Sequence, residues 1–134
     1  MKTIIFDIDG TLTDMSPVEG SLLWRKELPN LKQYPLVKWI INNRYKFRFI
    51  YATGGKKNET LYALKNLGII RYFDLKNSMD KTNCKFHKIT GIPLKKIKDK
   101  FPNCILVTDG KKDCIGAKKV GMEFIRIYNP KPNL

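Results

Sequence analysis

Asp7 and Asp9 stand two residues apart at the end of the apolar run Ile4-Ile5-Phe6, with Gly10, Thr11 and Leu12 directly behind them. In extended backbone, residues two apart project to the same side, so the two carboxylates can address one small site together. Gly10 frees the chain to turn sharply where the strand must end. That puts the pair at a strand's carboxyl end, where open α/β sheets bind ligands. The plainer use of Asp-Gly is a turn that merely closes the strand. Two further groups repeat the punctuation of an apolar run followed at once by polar groups. Thr53-Gly54-Gly55 offers a hydroxyl and amides that could receive a phosphate oxygen ahead of a helix. Asp109 and Asp113 place two carboxylates four apart at a strand-to-helix turn.

Positioning three such groups requires an alternating chain. Residues 2–7 are nearly continuous apolar and β-branched and read as a buried central strand. Pro35 opens a segment with Leu36, Val37, Trp39, Ile40 and Ile41 at helical spacing, and Trp39 is expected in the core. Residues 46–52 read as a second strand, and Asn58 can cap a helix that ends at Gly68. A short third strand is expected over 74–78, then a helix from Thr82 or Asn83 to Gly91 with the single histidine, His87, as a structural residue on it. Another helix runs from Leu94 to Phe101, a strand from Cys104 to Thr108, a helix from Asp113 to Lys119, and a last strand from Phe124 to Tyr128. The alternation predicts an α/β, three-layer Rossmann-like fold, a mainly parallel sheet of about five strands covered on both faces. Residues 12–32 have no clear period and read as a flap over the first strand's end, in which Leu22, Leu23 and Trp24 can pack on the core or touch substrate. Residues 129–134, with two prolines, read as a loose tail.

The chain of 134 residues has room for a single domain of ordinary size. Its opening apolar run is broken by Asp7 before it reaches the length of a signal peptide, and no stretch approaches a membrane span. Cys84, Cys104 and Cys114 are odd in number and lack zinc-type spacing, so they read as reduced thiols of a cytoplasmic protein. The net charge of +14 favours polyanions such as nucleic acid. The same excess also has a compositional reading, because 21 of the 26 basic residues are Lys and 5 are Arg, the residue with the better phosphate fork.

Together these groups resemble the haloacid dehalogenase superfamily of phosphohydrolases. Its first motif, DxDGT, is matched by Asp7-Ile8-Asp9-Gly10-Thr11; its second, a strand ending in Thr or Ser, by Phe49-Ile50-Tyr51-Ala52-Thr53; its fourth, an acidic pair after a strand, by Asp109 through Asp113. Thr108 stands where the family usually has Gly. The third motif is a lysine ahead of a helix, and Lys81 is favoured over Lys85. The resemblance implies a magnesium-dependent phosphomonoesterase. Asp7 would be the nucleophile forming an aspartyl-phosphate, and Asp9 the acid and then base. Asp7, Asp9 through its backbone carbonyl, and Asp109 would hold Mg2+, with Asp113 in or just behind that shell; Thr53, Gly54 and Lys81 would bind the phosphoryl oxygens. An attacking carboxylate must approach a dianion, so a cation has to offset the charge, and oxygen-only donors suit magnesium.

Fewer than 40 residues separate Asp14 from Thr53, which leaves no space for a large cap, so a capless member with an open site is expected. Such members act on large substrates or borrow a second subunit as a lid, so the partner is a phosphorylated small molecule or macromolecule and the chain a monomer or a self-capping oligomer. Three alternatives stay open. One is a nucleic-acid 3′-phosphatase. Another is a non-catalytic polyanion- or protein-binding module, disfavoured because binding has no use for Asp9 as a proton donor. The last is a phosphoaspartate receiver, disfavoured because there the reactive Asp follows a middle strand. Lys111 and Lys112 can meet an anionic part of the substrate or simply be solvated.

Overall fold

The computed structural model describes residues 1–13 and 35–127. Four strands form one parallel sheet: β1 (Thr3–Phe6), β2 (Arg48–Tyr51), β3 (Cys104–Thr108) and β4 (Glu123–Arg126), in the order β2-β1-β3-β4. Ile5 pairs with Ile50 on one side and Leu106 on the other, so β1 is the buried central strand its composition predicts. Among the described residues four helices supply the crossovers: α1 (Pro35–Asn42), α2 (Lys57–Asn66), α3 (Ile92–Lys100) and α4 (Lys111–Lys119).

Alternation along β1 sends its residues into two separate cores. Ile4 and Phe6 pack with Val37, Ile40, Leu64 and Phe73 on the face covered by α1 and α2. Ile5 packs with Leu94, Ile97, Ala117 and Met122 on the face covered by α3 and α4. A helix layer on each side of a parallel sheet is the three-layer architecture expected of the sequence. Among the described residues no helix is long and apolar enough to cross a membrane, and all three cysteines are free thiols.

Five local expectations are corrected. Residues 74–78 do not add a fifth strand. Phe73 and Met79 each touch β2 through an isolated bridge, and Leu75–Asn77 between them form a 3-10 turn. The reason is side-chain competition: Asn77 Nδ2 donates to Asp74 Oδ2 at 2.7 Å and Ser78 Oγ to the Asp74 carbonyl at 2.9 Å, closing a turn in place of a ladder. Nor is there a helix over 82–91. Asp80 Oδ1 accepts the Thr82 amide at 2.9 Å and Asn83 Oδ1 accepts the Asp80 amide at 2.9 Å, which fixes a local turn, and only Lys88–Thr90 form a 3-10 segment. His87 is consequently exposed ahead of that segment and not on a helix. The N-cap of α2 is Lys56 and not Asn58. Trp39 is 38% exposed, stacked on Phe47 at 5.4 Å. Leu12 and Thr13 are buried; the rest of the expected flap, with Leu22, Leu23 and Trp24, and the tail over 129–134 lie outside the described residues.

Candidate active site

In a parallel sheet every strand delivers its following loop to the same edge, so the ends of β1, β2 and β3 converge. They line one cleft of about 680 Å³ whose walls include Asp7, Asp9, Thr53, Gly54, Lys88, Asp109, Lys112 and Asp113. All four carboxylates named by the sequence are therefore in one place, with Thr53 and Gly54 beside them.

Two close fits bind the loops to one another. Gly10 has φ +79°, and a Cβ on it would lie 2.3 Å from Asp109 Oδ2, so only glycine satisfies both the turn and the approach of Asp109. The Thr11 hydroxyl accepts the Asp109 amide at 3.1 Å, with its proton shared between Asp109 Oδ1 at 3.3 Å and Asp7 Oδ2 at 3.4 Å. Asp7 and Asp109 thus flank a single hydroxyl. Arg126 Nε holds the Asp109 carbonyl at 3.1 Å from the far side.

The lysine that enters the cleft is Lys88. Its Nζ lies 2.8 Å from Asp7 Oδ1 and 3.0 Å from Asp113 Oδ2, and donates to the Ala52 carbonyl at 2.6 Å. Lys81 and Lys85 are exposed and outside the cleft walls, which corrects the expectation for that position. Burial pulls the Lys88 pKa down, but the charges of Asp7 and Asp113 and their hydrogen bonds outweigh it, and the pKa is raised overall. The group stays an ammonium. A sequence signal for it exists: Gly91-Ile92-Pro93 opens α3, with Pro in its first turn, so the lysine ahead of the next true helix is Lys88. Reading 82–91 as a helix moved that boundary to Lys81.

Gly116 on α4 lets the Lys88 segment come this close. A Cβ there would lie 1.7 Å from the Lys88 carbonyl oxygen, so the turn rests directly on the helix backbone. Thr108, the last residue of β3, has a definite task. Fully buried, its Oγ1 accepts the Gly110 amide at 3.0 Å and donates to Asp113 Oδ2 at 2.7 Å. Asp113 is therefore held by a hydroxyl and an ammonium, and its clearest work is to anchor Lys88.

Thr53 lines the cleft in a form suited to donate. Its hydroxyl oxygen accepts the Gly55 amide at 3.1 Å, which leaves its own proton for an incoming oxygen, while its amide is committed to the Met79 carbonyl at 2.9 Å. Behind it the 78–84 turn is tied down by Lys81 N–H to the Gly55 carbonyl at 3.0 Å and by the buried Tyr51 hydroxyl on Asp80 Oδ2 at 2.7 Å.

Comparison with solved structures identifies the fold that carries this arrangement. A candidate beta-phosphoglucomutase from Thermotoga maritima superposes with a TM-score of 0.72 at 16% identity, covering 99% of this chain and 88% of that one. The chain has the haloacid dehalogenase-like fold. The L-2-haloacid dehalogenase from Xanthobacter autotrophicus gives 0.74 at 13% identity, over 95% of this chain and 77% of that one. A candidate haloacid dehalogenase-like hydrolase from Bacillus subtilis, bound to magnesium, gives 0.73 at 13% identity over 92% and 86%. No protein-family model and no curated protein matches the sequence.

On this haloacid dehalogenase-like fold, four carboxylates share the cleft with two ammonium groups, Lys88 and Lys112, a net negative centre that would repel an anionic substrate. Among the described residues no three His, Cys, Asp or Glu side chains form a ready-made metal cage. The donors nevertheless fit a hard cation. Asp7 and Asp109 converge on Thr11 and offer carboxylate oxygens, and the Gly10 cradle keeps the Asp109 carboxylate against the turn.

Proposed function

We propose that the protein is a magnesium-dependent phosphomonoesterase that works through an aspartyl-phosphate on Asp7. The observation that carries the reading is the group at the end of β1, in which Asp7, ion-paired to Lys88, shares a cleft with a second carboxyl, Asp9. Asp7 and Asp109, with the Asp9 backbone carbonyl, would hold Mg2+, which supplies the positive charge that lets a carboxylate meet a phosphate dianion.

One carboxylate oxygen of Asp7 attacks phosphorus as the bond to the leaving oxygen breaks, and the Asp9 carboxyl gives that oxygen its proton. Asp9, now a carboxylate, takes a proton from water, which attacks the phosphoryl group and frees Asp7. The Thr53 hydroxyl donates to the phosphoryl oxygens as charge builds on them, and the Lys88 ammonium stabilises that charge, turning to them the proton that Asp7 Oδ1 accepts before it attacks. Asp9 also weighs against dehalogenation, the activity named for one similar structure with chloropropionic acid covalently bound. A departing halide needs no proton, whereas a departing alkoxide does.

The test is release of inorganic phosphate from a broad panel of phosphomonoesters with and without magnesium, alongside chloride release from 2-chloropropionate, using Asp7→Asn as the blank. Magnesium- and Asp7-dependent phosphate release is expected. Chloride release without phosphate release, or full activity in Asp7→Asn, would overturn the mechanism.

A further inference from the structure

Beyond the phosphate-handling groups, the cleft has an outer wall that the proposed chemistry does not use. Phe86 lies in that wall with 53% of its surface exposed, beside His87, and Lys112 lines the cleft from the first turn of α4. Other phenylalanines of the chain are buried or paired: Phe6, Phe49 and Phe73 contact one another, Phe47 stacks on Trp39, and Phe101 and Phe124 carry cations on their rings. Among the described residues Phe86 takes part in no ring or cation–ring contact, and Lys112 in no ion pair. Lys81, Lys85 and Lys111 are exposed on loops or helix starts at this same edge of the sheet. The cleft's own groups are net negative, so the rest of the chain carries more than the overall +14.

An open face of an aromatic ring selects a flat group, and an unpaired lysine on the cleft wall selects further anionic charge. A glycerol phosphate would use neither. A volume of about 680 Å³ has room for a scissile phosphate with a leaving group of nucleoside size. We infer that the leaving group is a nucleotide carrying a second phosphate beyond the scissile one, its base stacked on Phe86 and that second phosphate met by Lys112. This rests on the phosphomonoesterase reading and names its substrate class. Two sources present this chemistry: the phosphorylated end of a nucleic-acid strand and a free nucleoside bisphosphate.

The experiment compares kcat/KM for a 3′-phosphorylated and a 5′-phosphorylated oligodeoxynucleotide, thymidine 3′,5′-bisphosphate, glycerol 2-phosphate and an acidic phosphotyrosine peptide. The wild type is assayed beside Phe86→Ala and Lys112→Ala, with Lys95→Ala on the outer face of α3 as the neutral control. The nucleotides are expected to exceed glycerol 2-phosphate by about tenfold to a hundredfold, the usual worth of one stacked base. Phe86→Ala should lose about that factor on nucleotides and far less on glycerol 2-phosphate. Rising salt should erode the oligonucleotide rate most in the wild type and less in Lys112→Ala. A bisphosphate that matches the oligonucleotides identifies the free nucleotide as the source; an oligonucleotide advantage identifies the strand end. Preference for the phosphopeptide, or equal losses on all substrates, would overturn the inference. Should no substrate turn over, the phosphomonoesterase reading fails first, and binding of a fluorescent phosphorylated oligonucleotide to Asp7→Asn still decides this one. There Phe86→Ala must weaken the Kd at least fivefold, and unchanged affinity refutes it.

Discussion

Gly116→Ala isolates the contact that aims Lys88. The added Cβ would start 1.7 Å from the Lys88 carbonyl oxygen, against an ordinary C···O contact of about 3.3 Å, so the turn and α4 must part by roughly 1.6 Å. Nothing flexible lies in the way, because the opposing atoms are the backbone of Lys88 and Ile89. Overpacking of this kind costs about 1–3 kcal/mol, which in a chain of this size lowers Tm by about 4–12 °C. The Lys88 ammonium, now 2.8 Å and 3.0 Å from its two carboxylates, would be carried out of hydrogen-bond range of at least one of them. A displacement of about 1 Å in a positioning group is worth about 100-fold in rate. Phosphate release by the folded variant, measured below its own Tm, should therefore drop by about that factor, while Gly54→Ala, with open space around its Cβ, should unfold at the wild-type temperature. If Gly116→Ala is folded and fully active, the argument that helix contact positions Lys88 is refuted.

Lys88→Met removes the ammonium between Asp7 and Asp113 and should cost about 3 kcal/mol, since it leaves two part-buried carboxylates facing each other. Adding Asp113→Asn removes that repulsion, so denaturant titration should find Lys88→Met/Asp113→Asn more stable than Lys88→Met, and no recovery would contradict the ion-pair account. Thr108→Val keeps the shape and deletes the hydroxyl between Gly110 and Asp113; a loss of about 1–3 kcal/mol and a lower kcat at little-changed KM are expected, with Thr108→Ser restoring both. Asp80 and Asp74 set an acid limit. Burial pushes both carboxyls up, but hydrogen bonds from Thr82 and Tyr51 on Asp80, and from Asn77 and Arg48 on Asp74, outweigh it and hold each below 3.8. A depressed folded pKa gives stability that is complete above the unfolded value and lost as pH falls through the folded one. Tm should therefore fall as pH drops below about 4, and an Asp80→Asn variant, already less stable at pH 7, should show a shallower fall over that window.

Local chemistry was legible in the residues themselves. Hydrophobic runs of strand length, Pro35 and Pro93 at helix starts, and glycines at turns are short-range signals, and they gave β1, β2, β3 and the four helices with small errors at the ends. Parallel pairing then brings the ends of β1, β2 and β3 to one edge, which is why Asp7, Asp9, Thr53, Gly54, Asp109 and Asp113 could be assigned to one cleft from the chain alone. Where side chains competed for the backbone, the pattern misled. Asp74, Asn77, Asp80 and Asn83 close turns that a reading of apolar period takes for a strand and a helix. The lysine was lost with that helix: once 82–91 is read as helical, the start of α3 at Gly91-Ile92-Pro93 no longer points back to Lys88. The tertiary structure holds Lys88 in the cleft, through the absence of a side chain on Gly116 and the two carboxylates that pair with its charge. The same holds for Thr108, whose hydroxyl acquires its role from Gly110 and Asp113 across a turn. Backbone period and turn chemistry are encoded within a few residues; which charge is buried depends on a contact between segments that the sequence keeps apart.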